Sequence, residues 1–117
     1  AAYAFVGWNN AQAETLANGY YRVSPTVIAT ASVKGDEVFA ELITNLSESN
    51  IVNAPQSVAM KIYGSCSLRQ YTRWGMVFFS DQWKGGFPMM QFEADNINRR
   101  AERGGPIAAV FDKECRQ

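Results

Sequence analysis

Between Ser57 and Phe79 the chain alternates, and that alternation limits its fold more than any other feature of the sequence. Val58, Met60 and Ile62 fall on one side of Ser57–Gly64, and Ala59, Lys61 and Tyr63 on the other. From Cys66 to Phe79 the even positions Cys66, Leu68, Trp74, Met76 and Phe78 are mostly apolar, while the odd positions begin Arg69, Tyr71, Arg73. Successive side chains of a strand point to opposite faces, so each set marks one face of a sheet. The pattern predicts two long strands of an antiparallel sheet covered on one side. The even set reads as core and carries Cys66 inward.

Earlier segments extend the sheet. Tyr3–Trp8 is aromatic and reads as a strand, although Ala11-Gln12-Ala13 also has the look of a signal-peptide cleavage remnant. Asn18-Gly19, between Glu14-Thr15-Leu16 and Tyr20-Tyr21-Arg22-Val23, is a strong hairpin signal because both turn residues need positive φ. Val27–Val33 is β-branched and small. Lys34-Gly35-Asp36 reads as a turn. Glu37–Thr44 returns with Val38, Ala40 and Leu42 on one face. Residues 45–56 are polar, contain Pro55 and read as a loop; Asn45-Leu46-Ser47 is a glycosylation sequon only in a eukaryotic secretory setting.

After Phe79 the pattern changes. Ser80–Gly86 is turn-rich and presents Trp83 and Lys84. Residues 87–105 read ambiguously, with short helical character around Glu93–Arg103 that Gly104-Gly105 would end. Pro106–Arg116 is the best helix, with proline at its first position. Ile107, Val110, Phe111, Glu114 and Cys115 share one face by their spacing of three and four. The prediction is an α+β fold: a single antiparallel β-sheet meander of five to six strands with a C-terminal helix packed on one face. At 117 residues, with 47% hydrophobic and 19% charged residues, the chain makes one domain, residues 1–117.

The two cysteines, Cys66 and Cys115, form no Cys-x-x-Cys pair. A bridge between them would tie the last turn of the helix to the sheet, and Cys115 lies where tails fray unless held. The other reading is two buried free thiols in a cytosolic protein. A bridge implies export.

There is no histidine, which removes the usual catalytic triad and every imidazole metal site. No nucleophile–base pair, phosphate loop or cofactor motif is present, so the expectation is a non-enzyme without cofactor or metal. The net charge is zero, but residues 1–58 hold two basic against five acidic side chains and the remainder nine against six. An anionic partner should therefore meet the second half.

Five stretches, 20–26, 32–38 with Leu42 and Asn45, Gln56-Ser57 with Lys61-Ile62-Tyr63 and Cys66, Arg69-Gln70-Tyr71, and Pro106–Cys115, together resemble the surface-adhesin E (protein E) family of Gram-negative bacteria. Tyr20-Tyr21-Arg22-Val23-Ser24-Pro25-Thr26 is similar to that family's Tyr-Tyr-x-Asp-Pro-x-Thr start, with Ser24 in place of aspartate. Ser32-Val33-Lys34-Gly35-Asp36-Glu37-Val38, followed by Leu42 and Asn45, resembles its Gly-Asp turn segment. Lys61-Ile62-Tyr63 with Cys66, then Arg69-Gln70-Tyr71, resembles its cysteine strand, and Pro106–Cys115 its terminal helix. The resemblance implies a twisted antiparallel sheet with a disulfide-attached helix. It also implies an exported domain, in the periplasm or on the outer-membrane surface, that binds host matrix or serum proteins such as vitronectin and laminin. Membrane attachment would need an anchor not seen in these residues.

The candidate partner-binding face is Arg69, Tyr71 and Arg73, beside Lys61 and Tyr63 on the preceding strand. Arginine and tyrosine carry much of the energy at interfaces, though they are also ordinary on a solvated sheet face. Trp83 with Lys84 is a second candidate anchor; folding back over the core is its bland alternative. Arg99, Arg100 and Arg103 with Glu93, Asp95 and Glu102 read as local ion pairs more readily than as an anion patch. Asp81, Glu93 and Asp95 read as solvated carboxylates. Other readings are a homodimer or assembly role for the flat face, and an envelope inhibitor of immunity type. Nucleic-acid binding is disfavoured by the neutral whole.

Overall fold

The computed structural model describes residues 19–46 and 51–115. Tyr3–Trp8, Ala11-Gln12-Ala13, the first arm of the Asn18-Gly19 hairpin and Ser47 of the sequon lie outside them. The strands run in chain order as β1 (Tyr21–Ser24), β2 (Val27–Lys34), β3 (Glu37–Asn45), β4 (Ser57–Ser65), β5 (Gln70–Asp81) and β6 (Gly85–Glu93). They form an antiparallel meander, each strand paired with the next, and two-residue β7 (Arg99–Arg100) pairs with β5 beyond the end of β6. Helix α1 (Pro106–Glu114) lies over β1, β2 and β3.

Local chemistry sets the turns. Lys34 pairs with Glu37, which leaves the two-residue turn Gly35-Asp36. Gly35 has φ +62°, and such hairpin turns reserve that conformation for glycine. Asp36 then organises the next loop. Its carboxylate accepts the Ser67 N–H at 2.8 Å, the Ser67 hydroxyl at 3.0 Å and the Ser65 hydroxyl, and these bonds hold it below the usual carboxylate range. Its carbonyl accepts the Cys66 N–H at 2.8 Å. The loop carrying Cys66 is thereby fastened to the β2–β3 turn.

The core lies between sheet and helix. Ile107, Ala108, Val110 and Phe111 pack on Val27, Ala29, Val38, Ala40, Leu42 and Ile62. The predicted faces of β3 and of α1 are those observed. Pro106 opens the helix, and Lys113 occupies its last turn, where a cation is favoured. Arg69 pairs with Asp112 at 2.7 Å, and its guanidinium lies 5.6 Å from the Phe111 ring centroid. Cys66 and Cys115 are bridged, with Cα atoms 5.5 Å apart.

Two expectations fail here. The helical character predicted around 93–103 is absent: β6 ends at Glu93, and Arg99–Arg100 is a strand. The Asp95 carboxylate accepts the Ile97 N–H at 3.1 Å, and Asn96 takes φ +56°. A short side chain that bonds its own backbone two residues on competes with a helix, and a left-handed residue interrupts one. The long strand also begins at Gln70 rather than Cys66, because Cys66–Arg69 forms the turn into it and Arg69 has φ +55°.

Candidate functional site

The faces of β5 are decided by one residue. Lys61 pairs with Gly75 and Ile62 with Arg73, so Trp74 has no partner on β4. It is a β-bulge, and an extra residue inverts the side-chain alternation across it. Beyond the bulge Met76 and Phe78 pair with Met60 and Val58 on the helix side. Before it the odd residues take that side: Arg73 pairs with Ile62, and Tyr71 with Gly64. Tyr71 packs against the helix-side core.

The predicted face is therefore split. Arg69, Tyr71 and Arg73 lie on the helix side, while Lys61 and Tyr63 lie on the opposite, open side. The constant period-2 reading that joined them did not allow for the inserted Trp74. On the helix side the arginines are engaged. Arg73 approaches Asp95 at 3.4 Å, and Arg99 meets the same carboxylate at 2.9 Å. The hydrogen bond from Arg99, the Ile97 N–H and the two positive charges depress Asp95 to about 2. This is the local ion pairing that the sequence suggested for the arginine cluster.

The open side consists of cross-strand rows. The first is Ile28, Ile43, Ala59 and Val77. Trp83 and Tyr20 pack on it in a second, smaller core. Trp83 is thus buried and not the exposed anchor it resembled in sequence. Its backbone N–H donates to Asn45 Oδ1 at 2.7 Å, and the Lys84 backbone N–H donates to Ser57 Oγ at 3.0 Å. These bonds hold both residues at positive φ and fold the β5–β6 turn over the sheet.

The second row is Thr30, Glu41, Lys61 and Gly75, with Glu93 across from Gly75. Lys84 Nζ donates to Glu41 Oε2 at 3.0 Å, and the Tyr20 hydroxyl donates to Glu41 Oε1. Lys61 Nζ stands 5.6 Å from the Trp74 ring centroid. The third row is Ser32, Phe39, Tyr63 and Thr72. The Phe39 and Tyr63 rings meet at a centroid distance of 4.7 Å. The Glu37 charge raises the Tyr63 phenol above its ordinary value.

Phe39, Tyr63 and Trp74 are 42%, 38% and 50% exposed. Three large aromatic rings thus stand on one open face with Lys61 among them. Of the predicted binding residues, Lys61, Tyr63 and Lys84 belong to this face. Phe39 and Trp74 were missed. The β3 alternation could have supplied Phe39, since it lies between core-facing Val38 and Ala40; Trp74 was hidden among the even positions. A second apolar surface, Phe78, Met90 and Phe92, lies on the helix side beyond the reach of α1. There Phe78 and Phe92 meet edge to face at 5.9 Å.

Among the described residues no cluster of three histidine, cysteine, aspartate or glutamate side chains could hold a metal, and no helix is long and apolar enough to cross a membrane. No family model matches the chain, and no curated protein matches it in sequence. Solved structures do match. Crystal form II of Haemophilus influenzae protein E superposes with a TM-score of 0.68 at 13% identity, over 87% of this chain and 91% of that one. A second protein E structure from H. influenzae gives 0.67 at 13%, over 87% of each. Protein E from non-typeable H. influenzae gives 0.62 at 13%, over 80% of this chain and 73% of that one. The six-stranded meander with its disulfide-tethered C-terminal helix is a protein E-like fold.

Proposed function

We propose that this chain is an exported binding module of a bacterial envelope that engages a protein partner, of the host matrix or serum class, through its open sheet face. The observation that carries this reading is the exposed aromatic trio Phe39, Tyr63 and Trp74 with Lys61. Large rings combined with a cation supply the contact area and polar tips on which interfaces depend. The disulfide supports export, because such bonds persist in oxidising compartments. The protein E-like fold and the motif resemblance support the partner class.

The test is surface-immobilised binding to laminin and vitronectin. The double variant Tyr63→Ala/Trp74→Ala is compared with Arg69→Ala/Arg73→Ala on the helix side. The open-face variant is expected to weaken binding at least about tenfold, the size of a hot-spot loss, and the helix-side variant to leave it unchanged. The reverse pattern would sink the assignment of the open face. A second reading, self-association within an envelope assembly, is favoured by the surface of half-buried Phe78 with exposed Met90 and Phe92. Light scattering that showed a dimer stable to dilution and sensitive to Phe92→Ser would support it.

A further inference from the structure

Gly75 lies in the interior of β5, opposite Lys61 on one side and Glu93 on the other. Glycine weakens a strand interior, so its presence there asks for a cause. Backbone conformation is not the cause, since the φ of Gly75 is not positive. Crowding is not the cause either, because a Cβ added at Gly75 would meet nothing within 4 Å. The effect of the glycine is an open slot in the middle of the polar row. A cleft of about 510 Å³ opens over it, bounded by Glu41, Lys61, Trp74, Gln91 and Glu93.

The lining specifies a ligand class. Two carboxylates, Glu41 and Glu93, face two ammonium groups, Lys61 and Lys84, so the cleft is balanced in charge. Glu41 is already held by Lys84 and Tyr20. Among the described residues, Glu93 and Gln91 make no side-chain hydrogen bond or ion pair, and Lys61 meets only the Trp74 ring. The free groups are thus an acceptor, an amide that both donates and accepts, and a donor, set beside a half-exposed indole.

An anion would meet the carboxylates, a cation would meet the ammoniums, and an apolar ligand would leave polar groups unpaired at a cost. Neutral vicinal hydroxyls both donate and accept and match all three groups. The C–H face of a sugar ring suits the indole face. We infer that the slot over Gly75 is a subsite for one ring of a neutral saccharide, such as a glycan carried by a glycoprotein. The inference deepens the reading of the open face as a binding surface and rests on it.

The test is an amide-resonance titration of the whole chain with chitotriose, lactose and maltotriose, and with a sulfated heparin disaccharide as the anionic control. At least one neutral saccharide is expected to give saturable shifts at Trp74, Gly75, Lys61 and Glu93. The sulfated disaccharide is expected to give none there. Gly75→Val fills the slot, and a β-branched residue suits a strand. Its fold should persist, as seen in unchanged resonances of the helix-side core, while saccharide shifts at the slot disappear. Silence with all three neutral saccharides overturns the inference, as do equal shifts with the sulfated control or shifts that survive in a folded Gly75→Val. Laminin and vitronectin binding measured in parallel separates the two readings. A silent titration with matrix binding intact removes the saccharide slot alone, and saccharide shifts without matrix binding remove the protein partner alone.

Discussion

Replacing both Cys66 and Cys115 with serine tests how the helix is held. The bridge joins residues 49 positions apart. In the loop-entropy model, a cross-link closing a loop of that length removes about 14 cal/mol/K from the unfolded chain, or about 4 kcal/mol at 25 °C. Folded contacts change little by comparison. Ile107, Val110 and Phe111, which pack in the core, and the Arg69–Asp112 ion pair, 2.7 Å in the bridged protein, should remain. The variant should therefore fold with the helix docked but lose roughly 4 kcal/mol of a total on the order of 5–15. The melting temperature should fall on the order of 15 °C. Urea unfolding, followed by far-ultraviolet circular dichroism, reads the loss. The slope against urea should steepen, because the uncrosslinked unfolded chain exposes more surface. A loss under about 1 kcal/mol would refute the view that the bridge acts by restricting the unfolded chain. A variant lacking native near-ultraviolet dichroism would refute the view that packing alone docks the helix.

Gly64→Ala should destabilise the fold by about 1–3 kcal/mol through overpacking. An added Cβ would collide with the Gln70 carbonyl oxygen and stand 3.1 Å from Phe111 Cζ, and the carbonyl belongs to the backbone. An unchanged urea midpoint would show that β4 and β5 can separate freely there. Asp95 should titrate near 2 in the folded protein, against 3.8 for the ordinary group. Its contribution is fully present above pH 3.8 and is lost as pH falls through about 2, because the folded pKa is the lower one. Carboxyl carbon resonances measure this directly. A midpoint near 3.8 would mean that Arg99 and Arg73 do not hold the carboxylate in solution.

Much of the architecture was legible because it depends on local chemistry. Gly35 announced a tight turn, and Val38, Ala40 and Leu42 announced a buried face. Pro106 and the apolar spacing of Ile107, Val110 and Phe111 announced the helix. The Glu93–Arg103 segment misled because its helix-forming residues were read without the Asp95 side chain, which caps its own turn and diverts the backbone. The candidate site was legible only in part. Lys61 and Tyr63 were identified from alternation along β4, which has no bulge of its own. For Trp83 the sequence left an exposed anchor and a fold-back over the core both open, because a loop tryptophan beside lysine looks the same in either case; the structure takes the fold-back. The acceptors that hold the turn down, Asn45 for the Trp83 N–H and Ser57 for the Lys84 N–H, are remote in sequence.

The sequence by itself determined a helix-covered antiparallel sheet, since periodicity and turn residues are written locally, and it offered a bridge between its two cysteines beside two free thiols; the structure supplies the bridge. Only the tertiary structure decided which residues share a face. Alternation carries no absolute reference, and each unpaired residue reverses it. That reversal occurs at Trp74, which sends Arg69, Tyr71 and Arg73 to the helix and leaves the indole on the open side beside Lys61. A bulge arises from the register between β4 and β5, a relation between two strands that neither strand's own sequence states.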